Sequence, residues 1–99
     1  MAERPDQVSL HAFAHGRVQG VGFRYFAIDE AQRLGLVGWV RNLDSGDVEV
    51  WAEGPREGLE TFLDTLEKGP RLAIVHSVKA SWGEATGRHK RFSAIASSW

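Results

Sequence analysis

The segment from Gly16 to Arg24 reads GRVQGVGFR and places three glycines ahead of a cation at the start of a helical pattern. Glycine lets successive backbone N–H groups turn toward one point, and such a concave run of amides binds anions. The planar guanidinium of Arg24 can hold two oxygens of a phosphate at the same time. These residue types in this order predict a phosphate-binding loop.

Arg24 also stands at an unfavourable position for a helix without a ligand. A helix N-terminus carries partial positive charge, so an arginine in the first turn costs a few tenths to about 1 kcal/mol. No Ser, Thr, Asn or Asp precedes the pattern, which leaves Gly22 to cap the helix. A bound anion would offset both features. The alternative is an ordinary turn in which Arg24 reaches across the surface to a carboxylate.

Other phosphate-binding loops do not fit these residues. A Walker loop requires Gly in place of Val21 followed by Lys, and the dinucleotide fingerprint requires Gly in place of Tyr25. A cysteine-dependent phosphatase would have its nucleophile in place of Val18, and the chain contains no cysteine. Since the loop offers no side-chain nucleophile, a phosphoryl group bound there would have to be attacked by water.

Asn42 is the candidate for holding that water. A side-chain amide can form hydrogen bonds with water without the negative charge that would repel a phosphate. Asn42 ends the second predicted strand, on the face that also carries Gly38 and Val40. The alternative role for an asparagine at a strand end is local turn formation.

The elements that must position these residues follow from hydrophobic periodicity. Alternation and helical spacing predict strands at 8–15, 37–42, 47–53 and 74–82, helices at 23–34 and 55–68, and an optional short last strand at 92–96. The order βαββαβ is typical of a ferredoxin-like α+β sandwich, an antiparallel sheet with two helices on one face. That fold carries many unrelated functions and does not by itself indicate the chemistry.

Length and composition limit the classes of protein to which this chain can belong. The chain has 99 residues, 42% of them hydrophobic and 25% charged, which suits one globular domain. A formal charge of −1 argues against a general nucleic-acid binder. No apolar run approaches the roughly 20 residues that span a bilayer, and the polar N-terminus lacks the core of a signal peptide. The sequence therefore predicts a cytoplasmic domain with no membrane partner.

The histidines do not predict a metal site. His11 and His15 belong to one strand and lie about 13 Å apart at roughly 3.3 Å per residue, too far for one metal ion to bridge. His76 and His89 have no partner at ligand spacing. Neither a metal nor another cofactor is expected.

Aromatic residues provide an alternative function. Phe13, Trp39 and Trp51 are predicted on the sheet face away from the helices, where RNA-recognition domains of this topology stack bases. The acidic segment 47–53 lacks the basic–glycine–aromatic run of those domains. Packing between cross-strand aromatic neighbours accounts for the same residues.

Two segments together closely resemble the signatures of the acylphosphatase family. The first is Gly16 to Arg24, and the second reads GWVRN at 38–42 and continues with Gly46, Val48 and Gly54. Their spacing is also the family's, and the resemblance covers about residues 8–83. The last sixteen residues are less similar.

The resemblance implies a single domain over 1–99, with a polar N-terminal extension at 1–7. It implies a metal-free enzyme that hydrolyses small acyl phosphates to carboxylate and inorganic phosphate, and the chain is expected to be a monomer with no nucleic-acid partner. The residues carried over are Arg24 to bind the phosphoryl group, Asn42 to orient the attacking water, and the backbone amides of Gly20, Val21, Gly22 and Phe23. The substrate's own phosphate is expected to accept the water's proton. A module acting within larger proteins, for example in carbamoyl-phosphate handling, is a further alternative.

Overall fold

The computed structural model describes residues 6–97, which form five strands and two helices. The elements are β1 (Gln7–Arg17), α1 (Phe23–Arg33), β2 (Val37–Asn42), β3 (Val48–Pro55), α2 (Arg56–Lys68), β4 (Ile74–Glu84) and β5 (Phe92–Ala94). Every predicted element is present. Of the predicted extension 1–7, residues 1–5 lie outside the described residues, and Gln7 begins β1.

Pro55 ends β3 and caps α2, whereas the sequence predicts it as the first helical residue. Its φ of −64° suits a helix, but its ψ of 142° is extended, so the helix begins at Arg56. Proline fixes φ alone, which makes it compatible with both states. Neither helix in residues 6–97 is long and apolar enough to cross a membrane.

The five strands form one sheet in the order β4-β1-β3-β2-β5. The first four strands pair antiparallel, as predicted. The short β5 adds to the outer edge of β2 in parallel, so the complete sheet is mixed. Since β4 and β5 are at opposite edges, the segment 85–91 has to cross the sheet between them.

The core lies between the sheet and the helices. Alternate residues of the central strands face it, and the apolar stripes of α1 and α2 close it from the other side. Its main members, each no more than 2% exposed, are Leu10, Ala12, Ala14, Val40, Val48, Val50 and Ala52 from the sheet and Phe23, Ala27, Ala31, Leu59, Phe62 and Leu66 from the helices. Phe23 is therefore held in the core at the residue directly before Arg24.

The opposite sheet face carries the aromatic residues that the sequence places there. Trp39 pairs with Trp51 across β2 and β3, and both are half-buried, as is Phe13. The same face contains two buried carboxylates, Glu49 and Glu53. Aromatic and acidic side chains therefore alternate on this surface.

Glu53 fastens the crossing segment to β3. Its carboxylate accepts hydrogen bonds from Trp51 Nε1 (2.7 Å), from Thr86 N (3.0 Å) and Oγ1 (2.7 Å), and from Gly87 N (3.0 Å). Burial alone would raise the pKa of Glu53, but these hydrogen bonds outweigh it and hold the pKa below its ordinary value. The segment 85–91 thus has a specific anchor on β3.

Candidate active site

The connection between β1 and α1 is shaped by two glycines in the left-handed region. Gly20 has φ 75° and Gly22 has φ 81° and ψ 15°, conformations that glycine adopts without steric cost. Val18, only 1% exposed, holds the start of the loop in the core. The loop therefore has its curled backbone fixed at one end by Val18 and at the other by Phe23.

The backbone N–H groups at the N-terminus of α1 receive no hydrogen bond from a capping side chain. The cap residue is Gly22, without a side-chain cap, and the first turn has no acidic residue. The first hydrogen bond of the helix is donated by Phe26 N to Gly22 O at 3.0 Å. The N–H groups of residues 23–25 come before it and therefore have no partner within the helix. These amides and the helix dipole favour an anion at this place.

Arg24 adds a full positive charge to the same end of the helix. Among the ion pairs of residues 6–97, none within 4.0 Å involves Arg24. The alternative of a surface carboxylate as its partner is therefore not seen in the described part of the chain. Its guanidinium stays available to an oxyanion.

Asn42 is the last residue of β2 and pairs with Val48 of β3. Its Oδ1 is buried and has no hydrogen-bond partner within residues 6–97. Buried side-chain acceptors are almost always bonded, since an unsatisfied one costs about 1–3 kcal/mol. Such an atom is typical of a site that uses it.

Arg24 and Asn42 line one open pocket of about 220 Å³. The structure brings most of the candidate residues into it: the lining comprises Val18, Gly20, Gly22, Phe23, Arg24, Tyr25 and Asn42. Val21, also a candidate, is half-buried and packs against the core, so only its backbone is suited to the predicted role. Tyr25 was not among the sequence candidates, although its position directly after Arg24 was a signal; this residue is 76% exposed.

Gln19 connects the loop to the β2–β3 turn. Its Nε2 donates to the carbonyl oxygens of Leu43 at 2.8 Å and of Asp47 at 2.9 Å. No function is predicted for Gln19 from the sequence. A long polar side chain between Val18 and Gly20 was the available signal, but its partners are remote in sequence.

The histidines on β1 lie on the other sheet face. His11 Nε2 is 2.6 Å from Glu49 Oε2, Arg41 Nε donates to Glu49 Oε1 at 2.7 Å, and His15 Nδ1 is 2.8 Å from Asp47 Oδ1. Burial would raise the pKa of Glu49, yet His11 and Arg41 together hold the pKa below its ordinary value. In residues 6–97 no three His, Asp or Glu side chains are grouped to hold a metal ion.

Known proteins resemble this chain over most of its length. The acylphosphatase family model matches residues 10–94. The chain belongs to the acylphosphatase family. The acylphosphatase of Thermus thermophilus is 56% identical to it over 78 residues, 79% of this chain and 89% of that protein. As a member of this family, the protein is an enzyme whose substrates are small acyl phosphates.

Solved structures agree with this acylphosphatase in fold. The crystal structure of the Bacillus subtilis acylphosphatase has a TM-score of 0.86 and 39% identity, covering 89% of this chain and 98% of that one. The full-length HypF structure in its phosphate- and nucleotide-bound form has a TM-score of 0.85 and 29% identity, covering 93% of this chain but 12% of HypF. The acylphosphatase fold therefore also occurs as a small part of a larger protein.

Proposed function

We propose that this acylphosphatase holds the phosphoryl group of its substrate in the 16–24 loop and hydrolyses it with a water positioned by Asn42. The backbone amides of Gly20, Val21, Gly22 and Phe23 bind the phosphoryl oxygens, and Arg24 makes a bidentate contact with two of them. The reaction needs no metal and no covalent enzyme intermediate.

The single observation that carries this proposal is the shared pocket of Arg24 and Asn42. One pocket is lined by Arg24, which has no ion-pair partner within residues 6–97, by the glycine-shaped N-terminus of α1 and by Asn42. The Asn42 Oδ1 is buried without a partner within those residues, so the amide holds the water through its Nδ2 or, after turning by half a rotation, through Oδ1. The arrangement supports one anion and one water side by side.

The bond changes follow from this placement. The water oxygen forms a bond to phosphorus while the bond from phosphorus to the carboxyl oxygen breaks, and that electron pair leaves with the carboxylate. One water proton passes to a phosphoryl oxygen, so an acyl phosphate dianion and water give a carboxylate and dihydrogen phosphate. The carboxylate is a stable anion and needs no acid to assist its departure.

The pocket suits a reaction that depends on position and charge. Within the described residues its lining contains neither a carboxylate nor an imidazole, so no general base stands beside the water. A loose phosphoryl-transfer transition state requires mainly alignment and stabilisation of the equatorial oxygens. Arg24 and the loop amides stabilise the equatorial oxygens, and Asn42 aligns the water.

The test is phosphate release by purified protein treated with EDTA. We expect release from acetyl phosphate or benzoyl phosphate above the spontaneous rate, and none from p-nitrophenyl phosphate, whose phenolate is a poorer leaving group than a carboxylate. Inorganic phosphate should inhibit competitively and stabilise the fold by about 2.7 kcal/mol at a hundredfold excess over its dissociation constant. Absence of acyl phosphate hydrolysis, or its loss on chelation, would contradict the proposal.

The alternative RNA-binding function rests on the placement of Phe13, Trp39 and Trp51 on the open sheet face. Against it, Glu49 and Glu53 share that face, and Trp51 Nε1 is already bonded to Glu53. Carboxylates there repel a phosphate backbone. Salt-dependent binding of single-stranded RNA that weakens in Trp51→Ala would favour this alternative; we expect no such binding.

A further inference from the structure

Gln19 lies in the phosphate loop but directs its amide away from the loop's own backbone to the β2–β3 turn. The two carbonyls that receive its Nε2 hydrogens, Leu43 O and Asp47 O, stand at the base of that turn. The turn itself is closed by Leu43 N to Asp47 O at 2.9 Å and by Gly46 N to Leu43 O at 3.0 Å. Gln19 thus bridges both sides of the turn from outside.

The bridged turn begins at the residue after Asn42. Asn42 pairs with Val48 at the end of the β2–β3 ladder, so its backbone is directly joined to the turn that carries Leu43 and Asp47. On the other side, Gln19 is followed by Gly20, the first glycine in the pocket. A single side chain therefore connects the part of the site that holds phosphate to the part that holds water.

We propose that Gln19 is a positioning residue that sets the distance and angle between Asn42 and the phosphate loop. This role rests on the proposed function, because it requires a water on Asn42 and a phosphoryl group in the loop. Gln19 itself does not touch the substrate. In-line attack requires reacting atoms about 3–3.5 Å apart, and a misplacement of about 1 Å can lower the rate about a hundredfold.

Glutamine suits this position better than its chemical neighbours. One NH₂ group carries two hydrogens, and here each hydrogen is donated to a different carbonyl. A glutamate of equal length would present an ionised carboxylate to the same two oxygens and would repel them. A lysine could donate to both carbonyls but would place a second full charge near the pocket and change phosphate affinity directly.

Loss of the bridge should leave the fold intact. Without Gln19, Leu43 O keeps its hydrogen bond from Gly46 N, and Asp47 O keeps that from Leu43 N. Neither carbonyl becomes unsatisfied, so the large penalty for an unpaired buried group does not arise. A catalytic effect can therefore be separated from unfolding.

The experiment compares Gln19→Ala and Gln19→Glu with the wild type and with Gln32→Glu, a control on the exposed surface of α1. The substrate is acetyl phosphate, and inorganic phosphate serves as the probe of binding. For Gln19→Ala we expect kcat to fall about 10- to 100-fold, while the phosphate dissociation constant changes less than about threefold. Circular dichroism and the melting temperature should remain near those of the wild type.

The pH profile of Gln19→Glu gives a signature that a merely structural role would not produce. A protonated carboxyl regains one O–H donor and can restore one of the two hydrogen bonds. The ratio of its kcat to that of the wild type should therefore rise as pH falls from about 7 toward about 4, near the ordinary pKa of glutamate. Gln32→Glu should keep a ratio near one throughout.

Four results would overturn the role. If the wild type is active, an unchanged kcat in Gln19→Ala would contradict the positioning role, and so would equal losses in kcat and phosphate affinity. Neither result would contradict the proposed function. A flat pH ratio for Gln19→Glu would also count against the hydrogen bonds. A wild type that binds phosphate but releases none from acetyl phosphate would overturn the proposed function, and this role with it.

Discussion

Arg24, in the first turn of α1, and Asn42, the last residue of β2, line the same pocket although they lie at the outer ends of two consecutive elements. Two contacts accompany this approach. Phe23, buried in the core, fixes the start of the helix, and Gln19 joins the loop to the turn beyond Asn42. The catalytic predictions below follow from this convergence.

Arg24 should show opposite effects on activity and stability. Removing its contact with the phosphoryl group should lower kcat/KM at least about a hundredfold in Arg24→Ala, the loss typical of one preorganised charge contact. The same change removes a cation from a helix N-terminus, so the free energy of unfolding of the phosphate-free protein should rise by about 0.3–1 kcal/mol. Its melting temperature should therefore be equal to or higher than that of the wild type. Steady-state kinetics and thermal unfolding measure the two effects.

Arg24→Lys tests the geometry of the contact at constant charge. An ammonium cannot make the planar bidentate contact, so lysine should restore little of the activity. Arg33→Lys, in the exposed last turn of the same helix, is the matched control and should behave as the wild type. Full activity in Arg24→Lys would show that charge alone suffices.

Asn42 should separate turnover from binding. Asn42→Ala removes the water's partner, and kcat should fall about 100-fold or more while inorganic phosphate still binds within a few-fold. Removal of a buried unsatisfied acceptor should not lower the free energy of unfolding. Isothermal titration and steady-state assays on the same preparation make the comparison.

Asn42→Asp is the nearly isosteric companion. It can still accept a hydrogen bond from water, but its negative charge beside the bound anion should weaken phosphate binding as well as turnover. The loss in affinity should decrease at high salt. Tight phosphate binding in Asn42→Asp would place Asn42 too far from the anion for its proposed role.

Gly22 should affect both the fold and the phosphate site. A Cβ at this position meets open space, so the cost of Gly22→Ala is the left-handed backbone alone, about 1–2 kcal/mol. Alanine should also disturb the direction of the amides that follow and weaken phosphate binding. Asparagine, which tolerates this conformation and caps helices, should destabilise less.

Gly87→Ala is the control for this strain. Gly87 has φ 75° and open space at its Cβ, but it lies in the segment 85–91, which the pocket lining does not include. It should lose a similar amount of stability and keep the phosphate affinity of the wild type. Equal affinities in both variants would show that Gly22 shapes only the helix start.

Glu53 should make the free energy of unfolding depend on pH. Its pKa is lowered in the folded state, so its contribution is complete above the ordinary value near 4.5 and is lost as pH falls through the folded pKa. Glu53→Gln replaces one acceptor oxygen by an NH₂ group, whose hydrogens face two of the four donors. This should lower the free energy of unfolding by about 2–4 kcal/mol at neutral pH. Hydrogen exchange should rise in the segment 85–91.

Urea unfolding at about pH 7 and about pH 3.5, on either side of the ordinary carboxyl pKa, measures this effect. The difference in stability between the wild type and Glu53→Gln should shrink at the lower pH. Glu67→Gln, an exposed change on α2, should show no such dependence. A constant difference at both pH values would assign the loss to packing and not to the charge.

The sequence could predict the elements because their signals are local. Alternation along β2 and the apolar stripes of both helices depend on neighbours within a few residues, and the glycines of the loop require no distant partner. The two signatures, loop and GWVRN, also lie within short segments. The boundary at Pro55 has no such local signal, since one φ value allows two continuations.

By itself, then, the amino-acid sequence determined the βαββαβ order, the acylphosphatase signatures and the two candidate side chains, Arg24 and Asn42. The fold was needed to show that these two meet in one pocket, that Asn42 Oδ1 lacks a partner among the described residues, and that Gln19 spans the gap. It also decided the parallel pairing of β5. Those facts depend on contacts between remote segments, which sheet order and core packing establish and no local pattern encodes.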